Sequence, residues 1–378
     1  MSLNLTKERL KELENFSQRE LDTFVKEVTN ICEIPAPSYH EEKRAKYIAK
    51  RLADFGFDVK IDEINNVVAF KKGNTQNKPN LMFAAHTDTV FPKGTDVSVT
   101  RKGDQLFAPG IRDNSAGVAG IILLAKALSE LNFKHGDIYL VGTVCEEGLG
   151  DLRGMKAAFS KLADKVDYVV AVDGNLGGIT HGGIGSKRLR VNVSTEGGHS
   201  WGAFGVPSAI HSLGTMISNI AKLEVPTDPK TSYNVGVIEG GTSINTIAAE
   251  ASMLIDMRSE AKEPLEELEN RVRDIIAKVA EQDEVQAEIE IVGDRPVGYL
   301  PREHILIQKT IEILEYLDLS TKGSSSSTDA NIPLSQGKPA ICLGVTSGKY
   351  AHRKDEILDI KPAQKGILLL TLLVENLE

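Results

Sequence analysis

Four short apolar runs, separated by polar and helical stretches, are the feature that most constrains how this sequence can fold. The runs are "NLMFAAH", "DIYLVGTV", "DYVVAVDG" and "PAICLGVT". Each is apolar enough to be buried on both faces of a sheet, and "SAGVAGIILLAKALSEL", between the first two, has the pattern of a helix. Such alternation is typical of a mainly parallel sheet covered by helices. The sequence therefore predicts an α/β fold.

The pattern changes at about residue 186, where half-exposed strands begin. "KRLRVNVSTEG" alternates polar and apolar residues, and the predicted order of elements from there to residue 293 is β-α-β-β-α-β. That order suits a small antiparallel sheet backed by two helices. We therefore predict a domain formed by residues 1–185 and 294–378, with residues 186–293 inserted as a second domain. "GSSSST" at 323–328 is either a flexible linker or an ordered loop before a short helix.

Charge and cysteine content exclude several classes of protein. The chain has 44 Lys+Arg and 53 Asp+Glu, a net charge of −9, which disfavours nucleic acid or an anionic membrane as a partner. The N-terminal segment has no apolar signal core, and the longest apolar runs are much shorter than the ~20 residues of a membrane span. Cys32, Cys145 and Cys342 are too few and too scattered for a disulfide framework. We predict a cytoplasmic protein.

Acidic and imidazole side chains follow the ends of the predicted strands. In chain order they are His86, Asp88, Asp113, Glu146, Glu147, Asp173 and His352. Loops beyond the carboxyl ends of strands in an open α/β sheet share one crevice, so these side chains can converge. Each alone has an ordinary explanation, such as a helix cap for Asp113. Together they favour a metal site, and a mixed set of histidines and carboxylates suits zinc, manganese or cobalt.

Glu146 and Glu147 stand side by side at the end of a strand that is predicted to be buried. Neighbouring residues there point in different directions, so Glu147 can bind a metal while Glu146 faces a bound water. A two-metal site lowers the pKa of such a water, and a carboxylate that is not a ligand can accept the proton. The pair is thus explained by two different tasks.

The motifs "HTDT", "RDNSAG", "CEEG", "VDG", "AHRKDE" and "GGHS" resemble those of the M20 family of dinuclear zinc peptidases and amidohydrolases, most closely its peptidase T-like (tripeptidase) branch. The resemblance covers essentially the whole chain. It implies a zinc-peptidase catalytic domain with an inserted ferredoxin-like α+β domain that serves as lid and dimerisation domain. It also implies two metal ions, one bound by His86, Asp113 and Asp173 and the other by Asp113, Glu147 and His352.

The resemblance implies further roles around these ligands. Asp88 would orient the His86 imidazole, as a metal-bound histidine requires. Glu146 would be the general base and later pass its proton to the leaving amine. The peptide bond between Asp113 and Asn114 is expected to be cis.

In the inserted domain the resemblance assigns residues that contact the substrate. His199 would polarise the scissile carbonyl, commonly from the partner subunit of a homodimer. Asn245 and Arg258 match positions that bind the substrate's backbone or carboxylate, and a guanidinium suits two-point contact with a carboxylate. His199 as an ordinary loop residue and Arg258 as an exposed strand charge remain the alternatives. His181 is interpreted as structural.

The segment that begins at Gly323 resembles a loop on the substrate side of the peptidase T-like enzymes. Ser327, Thr328 and Asp329 would line the crevice there. Those enzymes often have glycines where this chain has serines at 324–327, which leaves the choice of substrate open.

We predict a homodimeric metallopeptidase that acts as an aminopeptidase on di- or tripeptides. Asp173 favours peptides, because the deacylases of the family tend to have glutamate at that position. An N-acyl amino acid amidohydrolase with the same machinery is the main alternative. A non-catalytic binding protein of the same fold is a third, but it should lack a ligand or the base, and this sequence has them all.

Overall fold

The computed structural model describes Leu3 and residues 5–378. Its helices, in chain order, are α1 (Lys7–Arg19), α2 (Leu21–Cys32), α3 (Glu42–Asp54), α4 (Ser115–Glu130), α5 (Arg153–Leu162), α6 (Ala209–Ile220), α7 (Lys262–Gln282), α8 (Ile305–Tyr316), α9 (Asn331–Ser335) and α10 (Ala363–Asn376). A short 3-10 helix spans Gly148–Gly150.

The strands, in the same order, are β1 (Asp58–Ile61), β2 (Val67–Lys71), β3 (Leu81–His86), β4 (Thr100–Lys102), β5 (Gln105–Phe107), β6 (Ile138–Thr143), β7 (Tyr168–Val172), β8 (Ile179–Gly183), β9 (Gly185–Ser194), β10 (Gly198–His199), β11 (Thr231–Gly240), β12 (Thr246–Ile247), β13 (Glu250–Ser259), β14 (Gln286–Arg295), β15 (Gly298–Tyr299), β16 (Gly323–Ser326), β17 (Ala340–Leu343), β18 (Gly348–Lys349) and β19 (Ile357–Asp359). The chain forms two compact units, Met1–Gly183 with Gly298–Glu378, and Ile184–Val297.

The first unit is built on a mixed sheet with the strand order β1-β2-β6-β3-β7-β17-β8-β15. Its centre is parallel: β3 pairs in parallel with both β6 and β7, and β17 pairs in parallel with β7. The four strands β3, β6, β7 and β17 are formed by the four apolar runs of the sequence, and every residue of β3 and β6 is buried. The predicted α/β fold is confirmed. Outside this centre the pairs β1–β2, β2–β6, β17–β8 and β8–β15 are antiparallel, whereas β16 pairs in parallel with β8.

Helix α4 covers the centre of this sheet and begins at the site described below. The side chain of Asn114 caps it by accepting the N–H of Gly117 at 3.0 Å. The helix is apolar on nearly all sides because it packs on β3 and β7 and is itself covered by α2 and α10. Burial on all sides fixes its first turn firmly against the strand ends.

The serine run at 323–328 is mostly strand, and only Ser327 and Thr328 form a loop before the next helix. Residues 323–326 are strand β16, which pairs in parallel with β8. Serine has little intrinsic preference for strands, so the pairing with β8 must supply the order. The short helix predicted after the run is present as α9.

The second unit is an antiparallel sheet with the order β11-β13-β9-β14, on which α6 and α7 pack. Along β13 buried and half-buried residues alternate, as in a strand with only one face toward a core. That core includes Leu189, Leu213, Met253 and Val272. The element order β9-α6-β11-β13-α7-β14 is the predicted ferredoxin-like order. A separate ribbon joins β10 to β12.

In the described part of the chain, no helix is both long enough and apolar enough to cross a bilayer.

Candidate metal centre

Asp113 lies between two histidines that are distant in sequence. Its Oδ1 is 3.2 Å from Nε2 of His86, at the end of β3, and its Oδ2 is 3.4 Å from Nε2 of His352, in the loop between β18 and β19. One carboxylate thus presents a separate oxygen to each imidazole. The parallel strands place His86 beside the first turn of α4, and Asp113 immediately precedes that turn. The Asp113–Asn114 peptide bond is cis.

Glu147 and Asp173 complete this cluster. Glu147 Oε1 is 3.1 Å from His352 Nε2, and Asp173 Oδ2 is 4.0 Å from His86 Nε2. Ligand atoms of His86, Asp113 and Glu147 all lie within 4.8 Å of one another. The structure therefore brings together all five residues that the sequence suggested as metal ligands, and it arranges them on either side of Asp113.

Asp88 lies beneath the cluster and contacts both of its halves. Its Oδ1 is 3.5 Å from His86 Nδ1, and its main-chain oxygen is 3.2 Å from the same atom. Its two carboxylate oxygens accept the backbone N–H groups of Glu146 and Glu147 at 2.9 and 3.0 Å. One fully buried side chain therefore orients the imidazole and also fixes the backbone that carries both glutamates.

Two further residues that the sequence analysis did not select hold Asp113. Buried Glu356 accepts the N–H groups of Gly110 and Asp113 at 2.8 and 3.0 Å. Arg112 lies 3.6 Å from Asp113 Oδ2 and 3.7 Å from Glu356 Oε1. Glu356 is the last residue of the "AHRKDE" motif, so its position four residues after His352 was the available signal.

The N-terminal segment supplies a second layer of support. Ser38 donates a hydrogen bond to Asp88 Oδ2 at 2.6 Å, and Glu41 accepts the N–H of Cys145 at 3.0 Å. Arg44, fully buried, donates to the carbonyl oxygens of Ile34 and Thr87. Apart from Arg44 and Ile34, the paired residues are 43 to 104 positions apart in the chain, and no local pattern marks them.

The carboxylates of the cluster change the proton affinities of both histidines. Burial opposes protonation of His86, but its carboxylate neighbours outweigh burial and raise its pKa well above the usual value. Hydrogen bonds with Asp113 and then Glu147 raise the pKa of His352 to about 10. Burial disfavours ionisation of Asp113, yet the two imidazoles bring its pKa below the ordinary range. Burial and the charge of Asp113 raise the pKa of Asp173.

The donor set fits divalent metal ions. Five carboxylates lie near the carboxyl ends of the central strands: those of Asp88, Asp113, Glu146, Glu147 and Asp173. Arg112 is a permanent cation that contacts Asp113. Closely spaced buried carboxylates are strongly unfavourable without compensating positive charge. Imidazole nitrogens together with carboxylate oxygens are the ligands of zinc and of similar transition ions. The residues present are therefore suited to hold such ions.

Metal binding to the metal-free protein should release protons. The raised pKa values of His86 and His352 keep both imidazoles protonated at neutral pH, whereas a metal binds only the neutral ring. We expect affinity to rise with pH through the neutral range, with roughly two protons released when both histidines become ligands. Calorimetric titration in two buffers of different ionisation enthalpy measures this number. Binding without proton release would contradict the assignment of the two histidines as ligands.

The predicted residues of the 323–329 segment lie in the same unit. Thr328 borders a pocket beside Asp173. Asp329 is buried, and its Oδ2 accepts a hydrogen bond from Thr143 at 2.5 Å. Burial raises the pKa of Asp329 to about 6. Ser327 follows the last residue of β16.

The predicted substrate residues of the inserted domain all lie in the second unit. His199 is exposed on β10, and its Nδ1 accepts the N–H groups of Trp201 and Gly202 at 3.2 and 3.3 Å. An Nδ1 that accepts hydrogen bonds leaves the proton of the neutral ring on Nε2. Asn245 is exposed between β11 and β12, and Arg258 donates to Asp256 at 2.7 Å.

His181, interpreted as structural, belongs to the first unit. It is buried, and its Nδ1 lies 2.7 Å from the main-chain oxygen of Leu300. That contact joins β8 to the segment that follows β15, which agrees with a structural role.

The chain is similar in sequence and in structure to known proteins. The model of peptidase family M20/M25/M40 matches residues 82–376. The chain is 26% identical to YqjE of Bacillus subtilis, an uncharacterised protein, over 93% of this chain and 98% of that one. It is also 26% identical to a succinyl-diaminopimelate desuccinylase of Pelagibacter ubique, over 88% and 92% of the two chains. A tripeptidase from Staphylococcus aureus has a similar structure, with a TM-score of 0.80, 22% identity, and coverage of 94% and 98%.

Proposed function

The chain belongs to peptidase family M20/M25/M40 and is an amide-bond hydrolase, and from this premise we propose that it removes the N-terminal residue of di- or tripeptides. The observation that carries the proposal is the position of Asp113 between His86 and His352, with Glu147 beside it. This cluster adjoins Glu146, whose backbone is held by Asp88. A metal-binding cluster and a separate carboxylate are thus next to each other.

The proposed ligands are His86, Asp113 and Asp173 for one ion, and Asp113, Glu147 and His352 for the other, with zinc as the first choice and cobalt or manganese as alternatives. When bound, such ions supply Lewis acidity to the attacking water and to the scissile carbonyl. Asp88 keeps the His86 ring in one orientation through its contacts with Nδ1. Glu356 keeps the backbone of Asp113 in place.

Glu146 acts as the general base in this proposal. It accepts a proton from the attacking water and then gives it to the nitrogen of the leaving amine, so that one carboxylate serves both steps. Its neighbour Glu147 belongs to the ligand cluster. His199 donates its Nε2 proton to the oxygen of the scissile carbonyl, consistent with an Nδ1 occupied by two backbone N–H groups.

Asn245 and Arg258 are proposed to bind the substrate's backbone or terminal carboxylate. Arg258 is available for this because it is only half-buried, and its hydrogen bond to Asp256 uses Nε. The remaining guanidinium nitrogens can therefore form a paired contact with a carboxylate. In the first unit, Thr328 and Asp329 are proposed to contact the substrate.

We further propose a cytoplasmic homodimer that associates through the second unit. Strand β11 is an outer strand of that sheet, and its Val237 and Ile238 are exposed. An open strand edge with exposed apolar residues favours pairing with another chain. The three cysteines of the chain are buried and form no disulfide, as expected for a protein in a reducing compartment such as the cytoplasm. Sedimentation velocity that detected only monomer at micromolar concentration would contradict the dimer.

An N-acyl amino acid amidohydrolase is the second candidate, and the similarity to a desuccinylase favours it. The same cluster would serve, since an acylated amine and a peptide share the bond that is cleaved. We expect a panel of di- and tripeptides to be hydrolysed with kcat/KM at least ~10²-fold above N-acetyl and N-succinyl amino acids, because a site built for one set of polar groups rejects a substrate that lacks them. Activity on the N-acyl compounds alone would overturn the peptidase proposal.

A further inference from the structure

A pocket of about 240 Å³ opens beside Asp173 in the first unit. Its walls are formed by Gly174, Asn175, Gly177, Gly178 and Gly344, together with a set of small side chains. Those side chains are Asp173, Thr180, Ser324, Ser326, Thr328 and Cys342. Because Asp173 is also in the cluster around His86, the pocket adjoins the proposed reaction centre.

The pairing of β16 with β8 places the serines on two different faces. Side chains alternate along a strand, and accordingly Ser324 and Ser326 line the pocket. Ser325 lies on the other face, packed so closely against Gly182 that position 182 has no room for a side chain. The serines of β16 therefore include two that line the pocket, Ser324 and Ser326, and one outside it, Ser325, which can serve as a control.

The lining is rich in hydroxyl groups. Thr180 and Ser324 place their hydroxyl oxygens 3.1 Å apart, and Ser326 and Thr328 add two more hydroxyl groups. Asp173 is the ionisable carboxylate, and the named side chains include no aromatic ring and no aliphatic group beyond the methyl groups of the two threonines. Such a lining offers hydrogen bonds in several directions but little apolar surface for a substrate to cover.

The strand order indicates which part of a substrate reaches this pocket. Glu146, which would protonate the leaving amine, follows β6, on one side of β3. The pocket is bordered by β8 and by the ends of β7 and β17, on the other side of β3. If the leaving amine lies toward β6, the acyl part of the scissile amide points toward β7. In an aminopeptidase, that acyl part is the N-terminal residue.

We propose that this pocket receives the side chain of the N-terminal residue and selects neutral side chains that form hydrogen bonds, such as those of threonine, serine and asparagine. This inference rests on the proposed aminopeptidase function. An apolar side chain of the same size would displace water from the hydroxyl groups without replacing its hydrogen bonds, which is unfavourable. Threonine and valine are nearly the same shape, so they isolate this effect.

The test compares Thr-Gly-Gly with Val-Gly-Gly as substrates of the metal-loaded protein. We expect kcat/KM to favour the threonine peptide by about tenfold, the size of effect produced by one or two unpaired buried polar groups. The double variant Ser324→Ala/Ser326→Ala should reduce this ratio to within about twofold by removing two of the pocket hydroxyls. Ser325→Ala, the same change on the opposite face of β16, should keep the ratio of the unaltered protein.

A binding measurement provides a readout that does not depend on turnover. Calorimetric titration with free threonine and free valine, as products of the two peptides, should show the same preference and the same loss in the double variant. Circular dichroism and thermal unfolding check that each variant is folded. If the double variant does not fold, Ser326→Ala alone tests the same point, with Ser325→Ala as its control. In Ser326→Ala the logarithm of the threonine-to-valine ratio of kcat/KM should fall by about half.

The outcomes separate the two levels of the proposal. Failure to hydrolyse any peptide would overturn the aminopeptidase function itself. Peptide hydrolysis with equal rates for threonine and valine would leave that function standing and overturn the pocket assignment. A threonine preference that survives in the double variant, or that Ser325→Ala also abolishes, would likewise overturn it, because the preference would then come from another part of the protein.

Discussion

Replacing Glu146 by glutamine should lower kcat for peptide hydrolysis by about 10²–10⁴-fold, the usual contribution of a general base. Glutamine has the same size and can keep the backbone hydrogen bond to Asp88, but it cannot accept the proton. Because Glu146 is not part of the ligand cluster that includes Glu147, the variant should keep its bound ions. Elemental analysis and steady-state kinetics on the same preparation measure both quantities.

Glu147→Gln is the matched control, since it makes the same chemical change at the adjacent position. Glu147 contacts His352 at 3.1 Å and lies within the cluster, so this variant should lose an ion together with its activity. The pair of variants therefore distinguishes a ligand from a base. Loss of metal in Glu146→Gln, with metal retained in Glu147→Gln, would mean that the two roles are exchanged.

Replacing Asp113 by asparagine should reduce binding at both metal positions. Asp113 presents one oxygen toward His86 and the other toward His352, so a neutral amide there weakens both halves of the cluster. Loss of the ions removes several kcal/mol of transition-state stabilisation, and we expect activity to fall by roughly 10³-fold or more. Metal content per chain, measured after dialysis against metal-free buffer, should fall well below that of the unaltered protein.

His352→Ala is the informative comparison for Asp113→Asn. His352 contacts Glu147 and one oxygen of Asp113. Asp113 also contacts His86 through its other oxygen. We therefore expect His352→Ala to lose one ion and keep the other. Asp96→Asn, the same change as in Asp113→Asn at an exposed position, should keep full metal content and activity. Equal metal loss in His352→Ala and Asp113→Asn would contradict a bridging position for Asp113.

Much of the fold could be predicted because its strongest signals are local. The four central strands are continuous apolar runs, and burial on both faces of a sheet requires that composition. In the second unit the alternation along β9 indicated a strand with one face on a core. The antiparallel outer strands of the large sheet were not predicted, because short, partly exposed strands such as β1 have no distinct pattern.

The serine run illustrates how composition alone can mislead. Residues 323–328 look like a linker because serine is common in flexible segments. In the structure they pair with β8, and the alternation along β16 gives Ser324 and Ser325 different surroundings. That pairing joins residues about 145 positions apart, and a local sequence pattern does not contain information about it.

The candidate site, like the fold, could be predicted from the sequence only in part. The positions of acidic and imidazole residues at strand ends selected a group of seven candidates. The resemblance to the M20 family then separated the five proposed ligands from Asp88 and Glu146. Their supporting residues were not visible, since Ser38, Glu41 and Glu356 act through hydrogen bonds to backbone groups on other segments. Any residue with a suitable donor or acceptor could serve there, so its type alone does not reveal the role.

The sequence by itself determined the central strands, the parallel centre of the sheet, and which side chains could bind metal, because these depend on residue type and on short-range periodicity. Tertiary structure alone decided which oxygen of Asp113 faces which histidine, that Asp88 holds both glutamates, and which serines face the pocket. Those features are distances of a few ångströms between segments far apart in the chain. They are set by strand order, register and packing, which arise only when the whole sheet has formed.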